Sequence, residues 1–89
     1  MITEKDISII QETSKKYKVK RVLLFGSSLD QKRESNDIDI GVEGLFPKDF
    51  FKFYGDLLLK LSKPIDVIDL DGSSKFINLV KKEGKLLYG

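Results

Sequence analysis

The sequence predicts an α/β (α+β) domain in which helices cover a small β-sheet. Three observations carry that expectation. Short apolar runs with strand character recur near residues 19–25, 37–42 and 65–70. Between the last two lies a stretch whose apolar residues repeat at helical spacing: Phe50, Phe53, Tyr54, Leu57, Leu58 and Leu61. The resulting order, αβ(α)βαβα(β), calls for a sheet whose connections pack on its faces. At 89 residues the chain is expected to be one domain, 1–89, with one core.

The elements follow in order. Thr3 and Asp6 form a capping-box-like pair, with Ile2 and Ile7 spaced as a hydrophobic staple. Ile7, Ile10, Ser14 and Tyr17 then share one helical face, with Ile9 beside it. Val19 to Phe25 is the first strand, and its run Val22-Leu23-Leu24-Phe25 predicts burial on both faces. The polar residues 27–36 are expected to form a short helix or loop. Asp37 to Val42 is the second strand. Pro47 stands at the favoured first-turn position of a helix reaching Leu61. Pro64 ends that segment and opens the third strand, Ile65 to Leu70. A last helix runs from about Ser73 to Lys82, capped by Gly84. Leu86-Leu87-Tyr88 adds a short edge strand.

Composition narrows the classes. The 16 basic and 14 acidic residues nearly cancel, to a net charge of +2, which argues against a dedicated nucleic-acid binder with a basic stripe. With no cysteine there are no disulfides and no thiolate metal sites, which fits a reducing cytoplasm. No apolar run approaches the ~20 residues of a membrane span, and no apolar segment follows the N-terminus as in a signal peptide.

The chemistry concentrates in two segments. Leu23-Leu24-Phe25-Gly26-Ser27 places a Gly-Ser turn after an apolar strand, and Asn36-Asp37-Ile38-Asp39-Ile40-Gly41-Val42 places two carboxylates within the next. Strand side chains alternate, so Asp37 and Asp39 point to one face, about 7 Å apart. A third acidic strand follows, Pro64-Ile65-Asp66-Val67-Ile68-Asp69. Like charges so placed repel unless a cation stands between them. In a chain without His or Cys, all-oxygen ligation points to magnesium or manganese. An Asp-x-Asp pair also fits an edge strand with one solvated face, and Gly-Ser also fits an ordinary strand-ending turn. The apolar flanks of both acidic strands weigh against a merely polar surface. Asp69 lies on the opposite face from Asp66 and reads as a strand-end or helix-entry residue.

This arrangement resembles the nucleotidyltransferase superfamily that includes DNA polymerase beta. In length it resembles the minimal nucleotidyltransferases, the MntA-like antitoxin partners of HEPN proteins. The family pattern is Gly-Ser, a spacer, Asp-x-Asp, and later a third Asp on a strand; Gly26, Ser27, Asp37, Asp39 and Asp66 match it. The ending Lys82-Glu83-Gly84-Lys85-Leu86-Leu87-Tyr88 resembles the family's C-terminal turn, so the likeness covers nearly the whole chain. Three departures stand out. The spacer, residues 28–36, is one short of the usual length and lacks the Gly that family members commonly carry there. Ser28 stands where the family commonly has an Arg; Lys32 or Arg33 is read either as its substitute or, more readily, as a solvated loop charge.

The resemblance implies a small mixed sheet covered by helices and a transfer of NMP, AMP from ATP, to a protein hydroxyl. Two Mg2+ ions, or Mn2+, would stabilise the attacking and leaving oxygens. Asp37 and Asp39 would bridge both ions, and Asp66 would complete the ion nearer the acceptor. Gly26 would let the backbone approach the phosphates, and Ser27 would offer a hydroxyl and amides to them. The implied partner is a HEPN-type toxin; the alternative is an antitoxin that neutralises by binding alone. The helix 47–61 bears on that partner. Phe51, Gly55 and Leu59 form a line beside its main stripe, which reads either as deep burial or as a surface for a partner or a further copy.

Overall fold

The computed structural model describes residues 2–26 and 37–89. The segment expected as a short helix or loop, with Ser27, Lys32 and Arg33, lies outside the described residues. The first helix, α1 (Glu4–Lys16), leads into β1 (Arg21–Phe25) and β2 (Ile38–Glu43). A 3-10 turn over Pro47–Asp49 then feeds α2 (Phe50–Lys60), followed by β3 (Ile65–Asp69), α3 (Lys75–Glu83) and β4 (Lys85–Tyr88). The strands form a mixed sheet in the order β3-β2-β1-β4, in which β1 is antiparallel to β2 and β4, and β2 is parallel to β3. The parallel pair is the one joined through a helix, as that topology requires. No helix among the described residues is long and apolar enough to cross a membrane.

Local chemistry sets the helix ends. The Thr3 hydroxyl accepts from the Asp6 amide at 3.1 Å and so caps α1. The Asp6 side chain does not return to the cap as a capping box would. It is buried and accepts from the Ser62 amide and hydroxyl, which ties the first turn of α1 to the segment after α2. At the far end Val19 N–H donates to Ser14 and Lys18 N–H to Lys15, the paired bonds of a Schellman turn. Lys18 takes the left-handed position there, with φ 55°. Ser74 caps α3 through the Ile77 amide. Gly84 follows α3 with φ −66°, so it is not a left-handed cap. Its role is close approach, because a Cβ there would stand 2.6 Å from the Val80 carbonyl oxygen and 3.1 Å from Leu23.

The two sheet faces differ in weight. One face carries Val22, Leu24, Ile38, Ile40, Val42, Ile65 and Leu87, packed with Ile10 of α1 and with Phe53 and Leu57 of α2. Burying side chains of this size stabilises by roughly 1.5–3 kcal/mol each, so most of the fold's stability resides there. The other face holds a smaller cluster, Leu23, Leu70 and Val80, flanked by Phe25, Ile68 and Ile77. Helix α3 rests on this second face, against β1. The α2 stripe is narrower than its periodicity predicts. Phe53 and Leu57 are fully buried and Phe50 and Leu61 partly so, whereas Leu58 is half exposed. A helix lying on one layer buries only the side that touches it. Phe51 and Leu59 are 84% and 87% exposed, and nothing beyond the local helix backbone and chain neighbours lies within 4 Å of where a Gly55 side chain would begin, so the off-stripe line is surface rather than deep core.

Candidate functional site

Register builds the site. Phe25 stands opposite Asp39 in the β1–β2 pair, and Asp39 stands beside Asp66 in the parallel β2–β3 pair. The end of β1 and the starts of β2 and β3 therefore meet at one end of the sheet. Ile38 and Ile40 face the large core, so by alternation Asp39 faces the other side, the side that carries α3. Asp66 shares that face, since Ile65 and Val67 point into the large core. Adjacent strands lie about 4.8 Å apart, which makes the two carboxyls nearest neighbours. Asp66 is exposed and Asp39 half-buried.

That crowding shows in the protonation of Asp39. Partial burial, first, and then the charges of Asp66 and Asp37 hold its carboxyl above the ordinary aspartate range, and a hydrogen bond with Asp66 adds to the effect. Asp37 sits at the bend immediately before β2, exposed, with its charge felt by Asp39. Gly26 closes β1 with φ 73°, and a Cβ on it would collide with the Asp39 carboxylate. The turn thus lies directly against the acid, in a left-handed position that favours glycine. Ser27, the other residue of the turn motif, is outside the described residues.

Among the described residues no three carboxylates are gathered tightly enough to hold a metal ion unaided. The described geometry is a pair on one rung, Asp39 and Asp66, with the Asp37 charge beside it. The donors are hard carboxylate oxygens under mutual repulsion, a set that suits magnesium or manganese. Asp69 is elsewhere: it ends β3, and its side chain accepts from the Asp71 amide in a local turn.

Two features escaped the sequence reading. A hollow of about 290 Å³ opens between the end of β1 and α3, lined by Phe25, Gly26, Phe76, Leu79, Val80 and Glu83. Its signal was present as the i, i+3, i+4, i+7 spacing of Phe76, Leu79, Val80 and Glu83, but periodicity does not say that only Val80 of these is buried. At the opposite end of β2, Glu43 is 12% exposed and pairs with Arg21 at 2.8 Å, Lys20 at 3.4 Å and Lys81 at 3.6 Å. These residues come from β1, β2, α3 and the connection before β1, which no local pattern joins.

Comparison with known proteins agrees with this fold. The sequence profile of the family described as "Polymerase beta, Nucleotidyltransferase" matches residues 8–89. A toxin–antitoxin crystal structure with AMP-PNP superposes with a TM-score of 0.73 at 24% identity, covering 98% of this chain and 74% of that one. A mutant of the MntA–HepT toxin–antitoxin superposes with a TM-score of 0.71 at 27% identity, covering 94% and 72%. A further MntA–HepT structure gives 0.72 at 22% identity, covering 98% and 73%. No curated protein sequence matches the chain at a significant level.

Proposed function

The chain belongs to the polymerase beta nucleotidyltransferase family, and from that premise we propose that it moves AMP from ATP to a hydroxyl of a HEPN-type partner, as the antitoxin of a toxin–antitoxin pair. The observation that carries the proposal is the pairing of Asp39 with Asp66 on one rung, with Gly26 backed against Asp39. Clustered carboxylates cost stability, so a small domain that keeps them is using them for something other than folding. The MntA–HepT likeness supports the choice of partner.

In this reading the acceptor oxygen forms a bond to the α-phosphorus, the bond from that phosphorus to the pyrophosphate oxygen breaks, and pyrophosphate leaves. Asp37, Asp39 and Asp66 would hold magnesium, which supplies positive charge to the attacking and leaving oxygens. Asp66, at the exposed side of the pair, takes up the acceptor proton. Gly26 keeps the space before Asp39 clear of side-chain atoms. We assign the face of α2 that carries Phe51 and Leu59 to the protein partner.

The test is transfer from labelled ATP to the cognate partner with magnesium, comparing wild type with Asp39→Asn. Label on the partner and release of pyrophosphate, both lost in the variant, are expected. Equal neutralisation of the partner without ATP and by Asp39→Asn would establish instead an antitoxin acting by binding alone. The Ser28 that follows Gly26-Ser27, where the family commonly has an Arg, favours that second reading.

A further inference from the structure

We infer that the hollow between the end of β1 and α3 seats the nucleobase, with Phe76 as the surface it stacks on and Glu83 as the acceptor for its exocyclic amino group. The inference rests on the nucleotide reading above and adds the residues that would select the base. Continuity is its first support. Gly26 lines this hollow and also lies against the Asp39 carboxylate. A triphosphate held at the carboxylates therefore has its nucleoside end within reach of the hollow.

The lining is the second support. Phe25 and Phe76 meet edge to face, with ring centroids 5.8 Å apart at 79°. That contact holds the Phe76 ring in place while leaving the residue 53% exposed, and Leu79 beside it is 50% exposed. Two large apolar side chains left half in water at the rim of a hollow gain contact area when a flat ring enters. A volume of about 290 Å³ is at the small end of ligand sites, as a single base requires. Another hollow of that volume, lined by Val42, Leu45, Pro47, Phe50, Phe51 and Asp69, lies three rungs along β2 and β3 from Asp39 and Asp66.

Glu83 supplies the selectivity. Among the described residues it is the sole ionisable group lining the hollow, and a carboxylate only accepts hydrogen bonds. It therefore favours a base whose edge offers an amino group and disfavours one that offers a keto oxygen there. Adenine meets that condition; hypoxanthine, its keto counterpart, does not.

Direct binding to the full chain with magnesium tests this, using ATP, inosine triphosphate and inorganic tripolyphosphate. Wild type should bind ATP about five- to a hundred-fold more tightly than tripolyphosphate, the range for one base on one aromatic ring. Phe76→Ala should remove most of that advantage and leave tripolyphosphate binding unchanged, and Phe76→Trp should restore it. Glu83→Leu should erase the preference for ATP over inosine triphosphate. If Phe76→Ala leaves the ATP-to-tripolyphosphate ratio intact, or wild type shows no ATP advantage, the base seat is overturned while the phosphate site stands. If neither ATP nor tripolyphosphate binds wild type, the nucleotidyltransferase reading itself falls and takes the base seat with it.

Discussion

Asp39 and Asp66 occupy the same rung of the parallel β2–β3 ladder, where partial burial and the neighbouring Asp66 charge hold the Asp39 carboxyl above its ordinary range. Parallel pairing puts both side chains on one face, so register alone brings together two acids that lie 27 positions apart in the sequence. Under the proposed function, activity and folding are opposed at this rung: repulsion between the acids works against the fold, and the same repulsion would create affinity for a cation.

Asp39→Asn should therefore separate the two. Transfer should fall by at least about 10²–10³-fold, the scale for losing one preorganised electrostatic contact. Thermal stability at neutral pH should rise, because the variant removes a charge held against burial and two like neighbours. The sign follows from the direction of the shift. Asp39 binds its proton more readily folded than unfolded, so wild type loses stability as pH rises from the ordinary aspartate value of 3.8 through the raised one. The melting-temperature gap in favour of Asp39→Asn should thus open above about pH 4 and close below it. A variant less stable than wild type at pH 7 would contradict this.

Glu43 should behave in the opposite way. The Arg21 guanidinium, first, and then Lys20 hold its carboxyl below the ordinary range against the opposing effect of burial. A lowered folded value contributes stability above the ordinary 4.5 and loses it as pH falls through the folded value. Glu43→Gln should melt below wild type at pH 7, and the two curves should converge in acid. Raised salt should shrink the gap only in part, since a pair with a 12% exposed carboxylate is shielded from counter-ions.

How far the site was legible in the sequence depends on distance along the chain. The alternation of Ile38, Asp39 and Ile40 was readable locally, as were Gly26 after an apolar strand and the helical spacing of Phe53 and Leu57. Strand order was not, because β1 pairs with both β2 and β4 and nothing in either segment specifies that. The sequence therefore proposed Asp66 as a partner of Asp39 by family pattern, and the ladder supplies the contact. Asp6 illustrates a local rule overruled by a tertiary one. Its spacing from Thr3 fits a capping box, yet Ser62, 56 residues away, offers two donors to one buried carboxylate. Leu58 fitted the helical pattern but faces water, since a pattern gives direction and not the width of the surface that covers it.

Lys18 offers a stability prediction independent of function. It holds a left-handed φ of 55° at the end of α1, where a side chain with a Cβ is strained. Lys18→Gly should stabilise the domain by about 0.5–1 kcal/mol, after allowing for the extra freedom glycine gives the unfolded chain. For a domain of this size that is a rise in melting temperature of roughly 2–8 °C. An unchanged or lower melting temperature would show that the Schellman bonds from Lys18 and Val19 already offset the strain.

The partner surface proposed on α2 gives the last prediction. Phe51 and Leu59 are 84% and 87% exposed, two helical turns apart on α2, with Gly55 between them and open space around it. Phe46 and Leu58 are also half exposed or more nearby in sequence. Scattered apolar residues are ordinary on a surface, but a line of large ones at i and i+8 on one helix is the spacing by which a helix face docks. Neither side chain supports the core, so Leu59→Lys should leave the melting temperature within about 0.5 kcal/mol of wild type in stability. Association with the HEPN-type partner should weaken by at least about tenfold, the cost of burying an unpaired charge where an apolar contact was made. Gly55→Leu should weaken it as well, by filling the open space between the two anchors while the helix gains propensity. Tight partner binding by both variants would move the interface off α2. Loss of binding together with a fall in melting temperature would show that Leu59 serves the fold instead.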